Sequence, residues 1–172
     1  WSIQNRDSFW ELMINRLNIQ FKVAPTETLD TSSSSESPRW LTNAQFNIVD
    51  SCFQADKDAI AIIAQPEDKG INTTTYGELE ALTNRVANGI SDAGFVPGDS
   101  IAICMPMTTE CVAIYLGIIK AGCVAVSIAD SFASDEIALR LKIAKCVGVF
   151  NQDYISRGGK KLPSYEKIVK AD

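Results

Sequence analysis

From about residue 59 onward, short apolar runs alternate with segments of helical periodicity, and this alternation limits the fold more than any other feature. The apolar runs cover residues 59–63, 100–104, 123–128 and 147–150. Their apolar side chains follow one another without alternation, which is typical of strands buried on both faces of a parallel sheet. The order strand, helix, strand, repeated along the chain, predicts an α/β fold in which helices cover both faces of a parallel sheet.

The segments between these runs carry the end signals of helices. Thr75 and Glu78 match the S/T-x-x-E capping box, in which a hydroxyl and a carboxylate each satisfy a backbone amide at a helix start. Thr108 or Thr109 can cap the next helix in the same way. Gly94 and Gly122 follow the first two helical segments, where a helix commonly ends.

The first 58 residues have a different pattern. Apolar residues at helical spacing predict a helix within the first twenty residues. Thr26–Pro38 contains four consecutive serines and little to bury, which predicts an exposed connector, and a short helix is expected within 40–53. We therefore predict an N-terminal helical extension with a Ser-rich connector over 1–58 and an α/β subdomain over 59–172.

Composition excludes several classes of function. The 172 residues include no histidine, so Ser-His-Asp catalysis, Cys-His catalysis and His-ligated zinc are excluded. A formal net charge of −5 argues against a nucleic-acid partner. The five cysteines form no C-x-x-C pair, so we expect buried thiols and no metal site. Lys120 interrupts the longest apolar stretch, so no membrane span is expected.

Ligands of an open parallel sheet bind beyond the carboxyl ends of its strands, and three segments occupy such positions. They are Met105–Thr109, Ala129–Phe132 and Ser156–Lys161. In the third, Gly158 and Gly159 can adopt positive φ and direct amides toward an anion, with cations nearby, so a phosphate site is one interpretation. A solvated surface loop is the other, since neither G-x-G-x-x-G nor the P-loop motif is present. The carboxylates form no pair suited to acid–base catalysis, so no catalytic residue is predicted.

Several motifs together resemble the N-terminal region of AMP-forming acyl-CoA synthetases, and within them the acetyl-CoA synthetase branch. The motifs are TTTYGEL at 73–79, NRVAN at 84–88, PGDSIAI at 97–103, MPM at 105–107, AGCV at 121–124, FASDEI at 132–137 and RGGK at 157–160. They extend over roughly 40–172. Two further stretches, NRDSFW at 5–10 and ADSFA at 129–133, are most similar to plant acyl-activating enzymes of peroxisomal type.

The resemblance implies a two-step ligase reaction. A carboxylic acid attacks the α-phosphate of ATP, giving an acyl-adenylate and pyrophosphate, and the thiol of coenzyme A then displaces AMP. ATP, Mg²⁺ and coenzyme A are the implied cofactors. The family's phosphate loop, adenine-binding motifs and C-terminal lysine have no counterpart here, so we expect the opening part of a longer enzyme, inactive alone. The acyl pocket also lies downstream in the relatives, so the chain does not identify the carboxylate substrate.

The resemblance implies binding roles for two segments of this chain. Arg157 and Lys160, with Gly158 and Gly159 between them, match the loop that contacts the phosphates at the nucleotide end of coenzyme A. Ala129, Asp130 and Ser131 match a second loop that touches the same nucleotide. Relatives carry an aromatic residue and two glycines in that second loop, so Asp130 is a departure that brings negative charge toward the phosphates.

Two other interpretations of the sequence stay open. One is a freestanding α/β module that binds a nucleotide or phosphate at the Gly158–Gly159 loop. The other is a noncatalytic interaction domain that meets a partner through a sheet edge or an apolar patch. The resemblance favours a peroxisomal location, with the cytoplasm as the alternative. It also implies the remainder of the same polypeptide as a partner.

Overall fold

The computed structural model describes residues 1–32, 36–67 and 69–171. It divides into two compact units, Trp1–Gln54 and a second one that begins at Ala55. The first unit contains helix α1, strands β1 and β2, and a 3₁₀ helix. Their bounds are Arg6–Arg16 for α1, Glu27–Asp30 for β1, Arg39–Thr42 for β2 and Ile48–Ser51 for the 3₁₀ helix. The expected N-terminal helix is therefore present.

The first unit also contains strand structure that the sequence pattern did not predict. β1 pairs antiparallel with β2, Leu29 opposite Trp40, and Thr28 is buried. The segment expected to be an exposed connector over 26–38 thus begins as a strand, and serines 33–35 lie outside the described residues. The short helix expected within 40–53 is limited to the 3₁₀ turn. Each strand is only four residues long, too short for its periodicity to be distinguished from that of a loop.

The second unit is an α/β layer structure. Its elements are β3 (Ile60–Ala64), β4 (Asn72–Thr75), α2 (Tyr76–Asp92), β5 (Ser100–Ile103), α3 (Thr109–Lys120), β6 (Val124–Ser127), α4 (Ser134–Ala144), β7 (Cys146–Phe150), β8 (Tyr154–Arg157), β9 (Lys160–Pro163) and α5 (Tyr165–Val169). β5, β6 and β7 form a parallel sheet in the order β6-β5-β7. This confirms the predicted fold class.

β5 lies at the centre of this sheet and is buried on both faces. Ile101 and Ile103 pack with Ile90 of α2 and Ile118 of α3. The intervening Ala102 and the following Cys104 pack on the other side, in a cluster that includes Ile137 of α4. Because side chains alternate along a strand, consecutive apolar residues supply both cores. Each fully buried isoleucine contributes about 1.5–3 kcal/mol.

The first predicted strand takes a different partner from the expected one. β3 pairs antiparallel with β4, Ala64 opposite Asn72, in a separate two-stranded sheet. Only residues 65–71 connect these strands, and a parallel connection needs about a dozen residues or more. The expectation that 59–63 joins the parallel sheet is therefore wrong. The β-branched run 73–75, in which the sequence pattern identified only the helix cap at Thr75, supplies the antiparallel partner.

The predicted capping box is present at the start of α2. The Glu78 backbone N–H donates to Thr75 Oγ1 at 3.2 Å, and the Thr75 N–H donates to Glu78 Oε2 at 2.8 Å. Thr108 caps α3 by accepting the Cys111 N–H at 3.2 Å. These caps fix where the helices begin and therefore how their apolar faces meet the sheet.

Helices α2 and α3 approach closely at Gly117. A Cβ atom there would lie 2.6 Å from Val86 Cγ1 and 3.1 Å from the Thr83 carbonyl oxygen. Gly89, in α2, has nothing within 4 Å of the same position and is exposed. The close contact between the two helices therefore requires glycine at position 117 and places no such requirement on position 89.

We predict that Gly117→Ala lowers the free energy of unfolding by about 1–3 kcal/mol, the usual cost of overpacking. Gly89→Ala is the matched control and should raise it by roughly 0.5–1 kcal/mol, since alanine is the better helix former. Urea unfolding followed by circular dichroism measures both. A Gly117→Ala variant as stable as Gly89→Ala would contradict the close contact.

In the first unit, hydrogen bonds to the Asp30 carboxylate lower its pKa from 3.8 to about 2. The side chain and backbone of Ser32 are the main donors, followed by the Arg39 guanidinium. A carboxyl pKa that is lower in the folded state stabilises the fold fully above the unfolded pKa. That contribution is lost as the pH falls through about 2.

We therefore expect Asp30 to remain ionised at pH 3, which carbon-13 NMR of its carboxyl group can follow. Ser32→Ala should raise the midpoint toward 3.8, because it removes the largest of the stabilising interactions. An unchanged midpoint in that variant would show that Ser32 is not the main donor.

Candidate functional site

A cavity of about 630 Å³ lies at the carboxyl ends of β5 and β6. All three segments that the sequence placed beyond strand ends contribute to it, through Met105 to Met107, Ala129 to Asp130, and Arg157. Its remaining walls are the end of β5, the α3 face and the end of β6: Ile103, Cys111, Val112, Tyr115, Leu116, Ser127 and Ile128. The lining is mostly apolar, and Asp130 and Arg157 are its charged residues. A volume of this size is typical of small-molecule sites.

The predicted glycine loop is the turn of the β8–β9 hairpin. Gly158 and Gly159 have φ values of +59° and +70° and are the two residues between the paired Arg157 and Lys160. Positive φ at both positions is the signature of a type I′ turn, which fits the right-handed twist of the strands. The turn thus explains the glycines structurally.

The amide of Gly158 is already hydrogen bonded. It donates to Glu67 Oε1 at 2.7 Å, and Glu67 lies in the loop between β3 and β4, 91 residues away in sequence. The sequence predicted that an amide of this turn would be directed toward an anion. In the structure the Gly158 amide bonds to the Glu67 carboxylate of the same chain.

Asp130 forms an ion pair with Arg157. Arg157 Nη2 donates to Asp130 Oδ2 at 2.9 Å, with the arginine side chain 55% exposed and the aspartate 13% exposed. Lys167 Nζ also donates to the Asp130 backbone oxygen at 3.2 Å. The aspartate that departs from the family pattern therefore pairs with the arginine of the other predicted loop.

The basic side chains of the hairpin occupy two faces. Arg157 and Lys160 are cross-strand partners, so they share a face with Ile155, which is buried. Lys161 is on the opposite face, where its Nζ lies 4.3 Å from the centre of the Tyr154 ring. Arg157 and Lys160 can therefore act on one ligand, and Lys161 cannot join them without a change in the hairpin.

The structure brings together only part of the predicted site. Ala129, Asp130 and Arg157 line the cavity, whereas Ser131, Gly158, Gly159 and Lys160 are exposed and are not among its described lining residues. Two contributors were missed from the sequence, Glu67 and Lys167. Nothing in the local pattern marks either one, because each reaches the site through a contact between segments that are distant in sequence.

The cysteines near the cavity are poor nucleophiles. Burial raises the pKa of the Cys104 thiol, and the Asp130 carboxylate raises it further. Burial likewise raises the pKa of Cys111, which lines the cavity. A thiol with a raised pKa stays protonated at neutral pH, and the thiolate is the reactive form. Neither of these two thiols is therefore suited to act as a nucleophile.

Among residues 1–32, 36–67 and 69–171, no group of three or more Cys, Asp or Glu side chains converges as metal ligands. Within the same ranges, every helix is too short or too polar to cross a bilayer.

The first unit has its own cavity of about 370 Å³. Trp10, Trp40 and Phe46 line it together with aliphatic side chains and Thr28. The rings of Trp10 and Trp40 meet edge to face, with their centroids 5.6 Å apart. Its lining carries no charged group, so its chemistry is that of apolar contact.

Family models match nearly the whole chain. Residues 49–171 match the AMP-binding enzyme family, and residues 1–52 match the acetyl-coenzyme A synthetase N-terminus. The first of these covers well over half of the sequence. The chain belongs to the AMP-binding enzyme family. This confirms the family resemblance drawn from the motifs.

Two plant enzymes are among the proteins to which the chain is similar. The chain is 42% identical to probable acyl-activating enzyme 18, peroxisomal, of Arabidopsis thaliana, over 99% of this chain and 24% of that protein. It is 39% identical to probable acyl-activating enzyme 17, peroxisomal, of the same organism, over 100% of this chain and 25% of that protein. The chain thus spans about a quarter of the length of these relatives.

The fold also matches a solved structure. Acetoacetyl-CoA synthetase from Streptomyces lividans superposes with a TM-score of 0.91 at 22% identity, over 99% of this chain and 27% of that one. At that identity the match establishes the shared fold. The β6-β5-β7 sheet and its helices therefore have the architecture of that synthetase.

Proposed function

We propose that this chain is the N-terminal portion of an AMP-forming acyl-CoA ligase. The observation that carries the proposal is the pair of family matches in consecutive order, 1–52 and 49–171. In the proposed reaction a carboxylate attacks the α-phosphorus of ATP, releasing pyrophosphate and forming an acyl-adenylate. The sulfur of coenzyme A then attacks the acyl carbon and AMP leaves, giving the acyl-CoA.

The proposed role of this chain is to hold the nucleotide end of coenzyme A. Arg157 and Lys160 supply cations on one face of the hairpin, and the cavity beside Ala129 and Asp130 has a volume in the range of ligand sites. Gly158, Gly159 and Ser131 would complete the contact surface. We assign ATP and Mg²⁺ to other parts of a longer polypeptide and no residue of this chain to either. No residue here is proposed as catalytic.

The domain division is part of the proposal. Residues 1–58 would form an extension to the enzyme and 59–172 the subdomain that holds coenzyme A. The remainder of the polypeptide would be its partner, and a small carboxylic acid the substrate. We propose a peroxisomal location because both Arabidopsis relatives are named as peroxisomal enzymes, with the cytoplasm as the alternative.

A second candidate is a freestanding module that binds a nucleotide or phosphate. The observation in its favour is that the cavity, Arg157 and Lys160 all lie within the second unit. Such a module needs no further segment to bind an anion. It differs from the ligase in lacking any reaction, so catalytic assays separate the two.

We expect no acyl-adenylate from the 172-residue chain alone, because no catalytic residue is assigned to it. The complete encoded polypeptide should catalyse carboxylate-dependent exchange of labelled pyrophosphate into ATP. Pyrophosphate exchange by the isolated chain would refute the proposal that catalysis lies in other parts of the polypeptide. If the complete polypeptide shows no exchange, the binding module is favoured.

We expect Arg157→Ala in the complete polypeptide to raise the KM for coenzyme A roughly tenfold or more, since a charged hydrogen bond contributes about 1.5–3 kcal/mol. Pyrophosphate exchange should be unaffected, because adenylation precedes the entry of coenzyme A. Lys161→Ala is the matched control: it removes a cation from the opposite face of the same hairpin and should leave the KM unchanged. An unchanged KM in Arg157→Ala would refute the assignment.

A further inference from the structure

Two carboxylates of this chain bond to the groups that would meet the ligand's phosphates. Asp130 accepts from the Arg157 guanidinium at 2.9 Å, and Glu67 accepts from the Gly158 amide at 2.7 Å. They approach the hairpin turn from two different loops, one after β6 and one between β3 and β4. Two donors of the turn, the Arg157 guanidinium and the Gly158 amide, are therefore already bonded to carboxylates of the same chain.

Resting on the function proposed above, we propose that Asp130 and Glu67 are internal counter-anions that the phosphates of coenzyme A displace. Binding would exchange carboxylate oxygens for phosphate oxygens at the same donors. The two residues would thus set the affinity for coenzyme A from within the site.

Glu67 and a phosphate oxygen would compete for the single N–H donor of Gly158. A backbone amide has one N–H, so it can bond strongly to Glu67 or to a phosphate oxygen, not to both. Arg157 has five N–H donors, and Asp130 is recorded at Nη2, so geometry alone leaves room for a second anion. At Arg157 the competition is electrostatic, because the negative charge of Asp130 cancels part of the attraction between the guanidinium and a phosphate.

The exposure of the turn allows the exchange. The Arg157 side chain is 55% exposed, and Gly158, Gly159 and Glu67 are all exposed. The Asp130 side chain is only 13% exposed, but the Arg157 end of the pair is open to solvent, so a phosphate can approach the guanidinium without the fold opening. Lys167 meanwhile bonds to the Asp130 backbone oxygen and can retain the loop when the carboxylate is released.

A purely structural role for the two carboxylates predicts a different change in the affinity for coenzyme A. If they only fasten the turn to its neighbours, their removal loosens Arg157 and weakens coenzyme A binding. If they compete with phosphate, their removal strengthens it. The sign of the change in affinity therefore separates the two roles.

The test is the dissociation constant of coenzyme A for the complete polypeptide, measured by calorimetry without ATP or carboxylate. Asp130→Asn keeps the side-chain shape and removes the charge, and Glu67→Ala frees the Gly158 amide. We expect each to bind coenzyme A roughly two- to fivefold more tightly, the range that a partly exposed ion pair supports. Thermal unfolding of each variant shows that it is folded, and either variant alone suffices for the test.

Glu80→Gln is the matched control. It removes the same charge from another ion pair of the second unit, Lys57–Glu80, whose lysine is also 55% exposed. Equal tightening in this control would assign the effect to net charge and overturn the proposal. Unchanged or weaker binding in every folded variant of the two, Asp130→Asn and Glu67→Ala, would also overturn it. In that case a loss of affinity in Arg157→Ala would still support the site itself, whereas no loss there would refute the proposed function.

Discussion

Burial of β5 on both faces is the constraint on which the second unit depends. Ile101 and Ile103 enter one core and Ala102 and Cys104 the other, so a single strand joins the α2–α3 layer to the α4 layer. A strand of this kind needs hydrogen-bonded neighbours on both edges, since its backbone has no access to water. β6 and β7 meet that need, and their parallel direction brings the loops that follow β5 and β6 to one edge of the sheet.

The charged rim of the cavity follows from that arrangement. Asp130 leaves the end of β6, and Arg157 arrives from the hairpin beyond β7, so the two meet although 27 residues separate them. The chain has a formal net charge of −5, and two of its carboxylates, Asp130 and Glu67, bond to the cationic turn. The pairing by Asp130 and Glu67 gives the candidate phosphate site its particular electrostatic character, and distinguishes it from a loop bearing cations alone.

Sequence reasoning succeeded where a local pattern has one physical meaning. The capping box at Thr75 and Glu78, the doubly buried strand at 100–104 and the ordered family motifs were each sufficient by themselves. It failed where pairing decides the structure. The apolar run at 59–63 is consistent with a strand in either a parallel or an antiparallel sheet. The seven residues 65–71 that follow this strand force an antiparallel pairing only if 72–75 is a strand, and the sequence pattern did not predict that strand. Glu67 gave no signal because its partner is 91 residues away.

By itself the sequence determined the fold class, the family, and the positions of three segments beyond strand ends, because hydrophobic periodicity, capping chemistry and ordered motifs are local properties of the chain. Only the tertiary structure decided which segments line the cavity, which face of the hairpin Arg157 and Lys160 share, and which anions they meet. The physical reason is that ion pairs and cavities arise between side chains brought together by strand order and helix packing, and no spacing along the chain encodes those distances.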